Sequence, residues 1–284
     1  MARGRTRALG WLAVTAAVVA LPGCYHGAAG APAPHPRVKA AQDAARQAIA
    51  VEAQLKPDTL SPKTVGVLPF DQSGLDSSTA ALGYGLADLL RVDLAKSSQL
   101  RIVDRLRLDA IMHELSLASS GRADSSTAPR VGRLVQARRV VYGALDAQAN
   151  AMGVSVGVAD AATRQVQPAL SEQMRLDNVL DTEKQIALRL FDNLGVTLTP
   201  AERAAVEERP TKNIAAFIAY GKAARYETEL RFADAVGAYD EALRLDPGFT
   251  LAATRRDEAA ALAGIDSARR RDIGHQLFGT SEIY

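Results

Sequence analysis

Across 284 residues the chain carries 34 basic and 32 acidic side chains, 48% apolar types and only 5% aromatics. That apolar share supports a buried core and argues against wholesale disorder, and the length suits one medium domain plus a smaller unit. One cysteine excludes an internal disulfide, four histidines leave little for a metal site, and the near balance of charge removes the main argument for a nucleic-acid partner. No apolar run reaches the roughly 18 residues of a spanning helix, and no cofactor is expected.

Arg3, Arg5 and Arg7 open the chain, and Ala8 to Ala20 is apolar, too short to cross a bilayer and suited to a signal-peptide core. The stretch ends in Leu21-Pro22-Gly23-Cys24, which resembles the lipobox of bacterial lipoproteins. That resemblance implies that residues 1–23 are removed and that Cys24 takes a thioether-linked lipid, with palmitate among the chains, as the new N-terminus. Cleavage leaves 31 bases against 32 acids, a net charge of −1. Each buried CH₂ contributes ~0.8 kcal/mol, so several acyl chains anchor stably. Tyr25, where an Asp would signal inner-membrane retention, points to the outer membrane, facing the periplasm. Residues 24–62 read as the lipidated cysteine, a Gly/Ala/Pro tether and a spacer helix from Arg37 to Leu55. The helix face is mostly alanine, so weak docking is expected.

Thr64 to Phe70 is nearly continuously apolar, as for a central strand buried on both faces. Leu82, Leu86, Leu89, Leu90 and Leu94 then mark a helix face. Leu100 to Asp104 reads as a second strand, and the β-α-β unit implies parallel pairing. Further helices carry Leu108, Ile111, Met112 and Leu115, then Val131, Leu134 and Val135, separated by a Ser/Gly/Asp loop. The period next changes to two. Arg139 to Gln148, the alternating Val154, Val156 and Val158, and about Gln165 to Leu176 predict an antiparallel meander with turns near Asn150 and Asp160. Ile186, Ala187, Leu190, Phe191 and Leu194 form a last helical stripe. Residues 63–199 thus predict a mixed α/β sheet in the order β-α-β-α-α-β-β-β-α.

Val67-Leu68-Pro69-Phe70, Ile102-Val103-Asp104-Arg105, Glu114 to Gly121 and Val140-Val141-Tyr142-Gly143, in that order, resemble the CsgG/HfaB family, whose fold extends to TolB N-terminal and FlgO-like domains. The resemblance implies a non-catalytic outer-membrane lipoprotein with a periplasmic domain for assembly, secretion or envelope maintenance. Homo-oligomeric rings are implied by the same analogy. A channel subunit of this family would need spare amphipathic hairpins with strands of ~9–11 residues. Residues 139–176 are used for core strands, so a pore is not expected.

Residues 200–284 read as a helical tail, opened by Thr199 as cap, Pro200 at the first helical position and Glu202 in the first turn. Residues 213–247 resemble one tetratricopeptide repeat, with Ala223, Tyr226, Ala235, Tyr239, Ala242 and Pro247 on its signature positions. Ala219 and Lys222 depart from the usual Trp and Leu. Tyr226 and Tyr239 are expected to fill the gap between the two helices. A lone repeat leaves an apolar face open. Either Leu251 to Ala263 caps it, or it docks on the core, or a partner covers it.

Candidates for chemistry are few. Gly83-Tyr84-Gly85 lacks the third glycine of a dinucleotide loop and reads as structural punctuation between strand and helix. Asp71, Asp104 and Asp160 follow strands, where catalytic acids sit in α/β folds, but turn chemistry also places acids there. His113 reads as a helix-surface residue. Ser119, Ser120, Ser125 and Ser126 form no nucleophile elbow. Arg101, Arg105, Arg107, Arg130, Arg133, Arg138 and Arg139 alternate with acids and read as solvated faces. Arg269-Arg270-Arg271 is a purer basic cluster that would suit anionic lipid or glycan. Three functions are therefore weighed: an interaction or assembly lipoprotein, a secretion-channel subunit, and a small-ligand or enzymatic domain.

Overall fold

The computed structural model describes residues 33–72, 75–116, 124–148 and 151–265. The signal segment, Cys24, most of the tether, Ser119, Ser120, Asn150, Arg269 to Arg271 and the C-terminal stretch lie outside the described residues. The elements are α1 (Pro36–Ala50), β1 (Thr64–Val67), α2 (Ser77–Leu94), β2 (Arg101–Ile102), α3 (Arg105–Glu114), α4 (Ala128–Val135), β3 (Arg139–Gln148), β4 (Ala151–Asp160) and β5 (Leu170–Met174). They are followed by α5 (Val179–Asn193), α6 (Pro200–Glu207), α7 (Ile214–Thr228), α8 (Phe232–Leu245) and α9 (Thr250–Leu262). From β1 to α5 this is the expected mixed α/β order, and a helical region follows it.

One five-stranded sheet runs β2-β1-β3-β4-β5. β1 pairs in parallel with β2 and with β3, and β3, β4 and β5 form the antiparallel meander. The period-two residues sort onto two faces. Val65, Val67, Val141, Leu145, Val154, Val156 and Val158 point to one side, under α2 and α5. Leu68, Val140 and Ala159 point to the other, under α1, α3 and α4. β5 is shorter than the run from Gln165 to Leu176 suggested. The Asp160 carboxylate accepts from the amides of Ala162 (2.8 Å) and Thr163 (3.0 Å), and Arg164 takes a positive φ of 59°. The chain therefore leaves the ladder, touching it again at an isolated Val166–Ala159 bridge before β5 begins.

Helix α1 is docked, in contrast to the weak spacer that its alanine face suggested. Ala45 is buried with Leu108, Ile111 and Val131, and Ala41, Ala48, Ile49 and Leu55 lie against the same cluster. Small side chains let the helix approach closely. Arg46 bonds Glu114 at 2.7 Å, and Arg130 bonds Glu52 at 2.9 Å.

Helix α2 is buried on every side from Ala81 to Leu90, because the sheet covers one face and the tail covers the other. A helix surrounded in this way normally reads as apolar all round. Here the tail-facing stripe contains Ala81, Gly85 and Asp88. Gly83 and Gly85 thus lie inside a helix rather than between a strand and a helix. Gly85 is where α2 meets α7: a Cβ there would stand 3.2 Å from the Gly221 Cα and 3.2 Å from the Phe217 ring. Of the alternatives for the tail's open face, the structure shows two at once. The hairpin α7–α8 docks on α2, and α9 packs on α8.

The caps explain the tail's start points. Thr199 and Glu202 form a reciprocal capping box with Pro200 at the first position. Asn213 accepts from the Ala216 amide at 3.2 Å and donates through Nδ2 to the Leu245 carbonyl at 2.9 Å, fixing the start of α7 to the end of α8.

Candidate functional site

The side chains with the most unusual surroundings gather where α2, α3, α7, α8 and α9 meet. Asp88 of α2 is 5% exposed. One of its oxygens, Oδ1, accepts from Arg105 Nη1 at 2.6 Å, Arg255 Nη2 at 2.6 Å and Arg91 Nε at 3.0 Å. The other accepts from the Tyr220 hydroxyl. Burial disfavours the Asp88 anion, but Arg105, Arg255, Arg91 and the tyrosine bond outweigh it and hold the carboxyl well below the usual range.

Arg105 ties the cluster together. It reaches Asp88, Asp109 (Nε to Oδ2, 3.2 Å), Glu227 (2.9 Å) and the Ala224 carbonyl (2.7 Å). Glu227 also accepts from the Tyr239 hydroxyl at 2.8 Å. Three acids, Asp88, Asp109 and Glu227, thus face three arginines, Arg91, Arg105 and Arg255. Two come from α2, two from α3, and Glu227 and Arg255 come from the tail. Above them Tyr220 stacks on Phe217 (6.1 Å between centroids) and tilts against Tyr239 (5.5 Å) and Phe249 (5.1 Å). The bridging charges are sealed by aromatics, which strengthens each attraction and raises the cost of removing one partner.

Asp109 is the member that titrates. Burial pushes its carboxyl up to about 6, with the charge of Glu227 adding to this and Arg105 opposing it. The folded form therefore holds the proton more tightly than the unfolded chain. Its stabilising contribution is full below about pH 4 and is lost as pH rises through about 6. The neutral variant Asp109→Asn should gain in melting temperature relative to wild type as pH is raised from 4 to about 6, and the difference should then level off toward pH 8. Melting curves across that range check this, and a pH-independent difference contradicts it.

A second buried set lies at the end of α2. Lys184 Nζ bonds Asp93 at 2.6 Å and lies 3.2 Å from Glu183, while Lys96 bonds Asp93 at 2.7 Å. Burial and the Asp93 charge push Glu183 well above the usual carboxylate range. Lys96 also donates to the Ala205 carbonyl of α6 at 2.7 Å, so this set fastens the segment after the sheet.

Beside the first cluster runs a groove of about 730 Å³ between the sheet edge and the tail. Leu100, Ile102, Leu106, Phe232 and Leu262 give it apolar walls, and its polar side mixes four arginines, among them Arg91 and Arg255, with five acids, among them Asp104 and Glu258. Among the described residues, no group of three His, Cys, Asp or Glu side chains has metal-binding geometry. No described helix is long and apolar enough to cross a membrane.

The sequence candidates are placed as follows. Asp104 caps α3, accepting from the Arg107 amide at 3.0 Å, and Asp160 builds its turn and pairs with Arg138 at 3.1 Å. Asp71 forms an isolated bridge with Ala144, and His113 is exposed on α3. Ser126 bonds Asp124 in the turn before α4. Arg105, read as part of a solvated face, lies instead at the centre of the buried cluster, because both α2 and α7 cover it. Ala223, Ala235, Tyr239 and Ala242 are fully buried, Pro247 is exposed and Tyr226 is half-buried under Arg231, 4.5 Å from its ring. Tyr220, one turn before Ala223, is the aromatic that sits between the helices with Tyr239.

Residues 38–176 match the family described as the curli production assembly/transport component CsgG. This segment is CsgG-like. It contains α1 to α4 and the whole sheet, and the tail elements that complete the charge cluster lie beyond it. Among solved structures, the chain is similar to the LpoB C-terminal domain from Salmonella enterica at 18% identity, over 45% of this chain and 94% of that one, with a TM-score of 0.31. It is also similar to E. coli LpoB at 16% identity, over 61% of this chain and 86% of that one, with a TM-score of 0.33. No curated protein matches the sequence.

Proposed function

We propose that this chain is an outer-membrane-anchored periplasmic lipoprotein that works by protein–protein contact in envelope assembly or export. The CsgG-family match over residues 38–176 carries the reading, and the Leu21-Pro22-Gly23-Cys24 sequence upstream supports the anchor. On this reading Cys24 holds the lipid, the CsgG-like domain and the tetratricopeptide-like tail offer the protein-binding surfaces, and copies of the domain associate with one another. Binding is assigned rather than catalysis. The rigid junction at Asp88 supports this, since it holds two surfaces of different origin in a fixed relation.

Cys24→Ser should move the protein from the membrane to the soluble periplasmic fraction, with folding unchanged. Fractionation and mass spectrometry of the N-terminal peptide check this, and membrane retention of the variant as firm as wild type overturns the anchor. The rival reading, a channel subunit, predicts single-channel steps in planar bilayers. An assembly lipoprotein predicts none, because β3, β4 and β5 pair within one sheet.

A further inference from the structure

We infer that the groove between β2 and α9 is the docking site of the chain's own segment 266–284, with Arg269-Arg270-Arg271 set against the exposed acids of its rim. The inference depends neither on the lipid anchor nor on the envelope role proposed above.

Three observations carry it. The first is the way α9 ends. Gly264 takes a positive φ of 68°, the Gly264 amide donates to the Ala261 carbonyl at 3.2 Å, and the Ile265 amide donates to the Ala260 carbonyl at 3.0 Å. Those two bonds form a Schellman stop, which reverses the chain. Ile265 accordingly packs back against the main core. Ala261 and Leu262, at the end of α9, line the groove, so the chain continues from the groove's own wall.

The second is charge. Among the charged side chains lining the groove, the exposed ones are Asp104, Asp257, Glu258 and Arg37, three acids against one base. Arg91, Arg105 and Arg255 turn instead into the buried cluster, where Asp88 takes them. The open face of the groove is therefore acidic. Glu258 is 56% exposed and holds Arg255 through Oε2 at 2.8 Å, and a carboxylate has lone pairs for further donors. The Asp257–Arg256 pair is a surface contact that contributes little and exchanges readily. Three successive arginines match such a rim, since a guanidinium meets a carboxylate with paired bonds. They also reach it. Glu258 lies about 6 Å before Leu262 along the helix, and four extended residues, from Asp266 to Arg269, span up to about 14 Å.

The third is the apolar part. Leu100, Ile102, Leu106 and Leu262 are only half-buried in the groove walls. Ile273, Leu277 and Phe278 follow the arginines and supply side chains to cover them. An anionic lipid surface would meet the arginines but leave those walls bare. With the segment docked, a partner of this face has to displace it.

The test uses the full chain with p-benzoylphenylalanine in place of Phe278, as an equal mixture of isotope-labelled and unlabelled protein. Irradiation should give crosslinks within one chain, to residues 100–106, Phe232 or Leu262. Reversing all three arginines to glutamate should lower the yield about tenfold with an unchanged circular-dichroism spectrum. Asp257→Lys, an exposed change outside the buried cluster, should act in the same direction, and combining it with Arg270→Glu should recover part of the loss.

Crosslinks confined to other surfaces, or a yield indifferent to the arginine reversal, would overturn the inference. Mixed-isotope crosslinks in excess would overturn it in favour of a second copy as the occupant. With phosphatidylglycerol vesicles present, crosslinks to lipid at the expense of residues 100–106 would overturn it in favour of the membrane. Absence of any recovery in the combined variant would mean that Arg270 and Asp257 do not face each other, which also overturns it.

Discussion

Asp88→Ala should cost about 3–5 kcal/mol of stability, the range for removing one member of a buried, hydrogen-bonded ion cluster. The carboxylate accepts from Arg91, Arg105, Arg255 and Tyr220, so its loss leaves three guanidinium groups facing one another with Asp109, Glu227 and the exposed Glu258 to balance them. The arginines come from α2, α3 and α9, and the damage should therefore appear as loosening of the tail from the CsgG-like domain. Urea unfolding gives the magnitude, and limited proteolysis between α6 and α9 gives the location. Asp88→Asn keeps the shape but not the charge and should recover only a small part of the loss. A double-mutant cycle with Arg255→Ala separates the direct contact from general damage: coupling near zero would mean that the Asp88–Arg255 bond contributes nothing specific. A variant as stable as wild type would mean that the arginines find water instead and that the junction is not held by charge.

The readable parts of this fold are those whose signal is local. The unbroken run of β1 and the Val154, Val156, Val158 alternation of β4 each declare their period within a few residues, and both strands lie where expected. Thr199, Pro200 and Glu202 announce α6 for the same reason, since a capping box is complete within four positions. Helix α1 was legible as a helix but not as a docked one. Its contact face is built from alanines, which look alike whether they meet solvent or the flat sides of α3 and α4.

The charge cluster is the opposite case, since its six charged members are spread from Asp88 to Arg255. Each taken singly has a bland local reading, and Arg105 beside Asp104 and Asp109 looks like a solvated helix face. Two signals were nevertheless present. Asp88 and Asp93 interrupt a helix whose leucines already fill one face, and an acid in such a helix needs a partner. Gly83 and Gly85 stand inside that helix, where each costs about 1 kcal/mol relative to alanine, so at least one had to answer to close packing. Neither signal names the partner helix. The repeat resemblance placed Tyr226 and Tyr239 between the helices; Tyr239 is fully buried there beside Tyr220, while Tyr226 is half-buried under Arg231.

Gly221→Ala should destabilise the protein, whereas Gly237→Ala should stabilise it, although both replace a helix-interior glycine by the better helix former. Elsewhere equal, each change is worth about 1 kcal/mol in favour of the variant. At Gly237, on the outer side of α8, nothing lies within reach of a new Cβ, so the propensity gain should appear nearly whole. At Gly221 a Cβ would overlap the Ala81 carbonyl, which is backbone of α2 and cannot rotate away. Helix α7 would have to lift from α2. That movement separates Phe217 from Gly85 and pulls Tyr220 from Asp88, so a methyl group would disturb both the apolar and the charged parts of the junction. Overpacking of this kind typically costs about 1–3 kcal/mol beyond any propensity gain. Thermal melting of the two variants side by side is the measurement, since the glycine-to-alanine chemistry cancels and only the surroundings differ. Stabilisation by both substitutions would mean that α7 can move off α2 freely, and the account of the tail as a fixed extension of the CsgG-like domain would have to be abandoned.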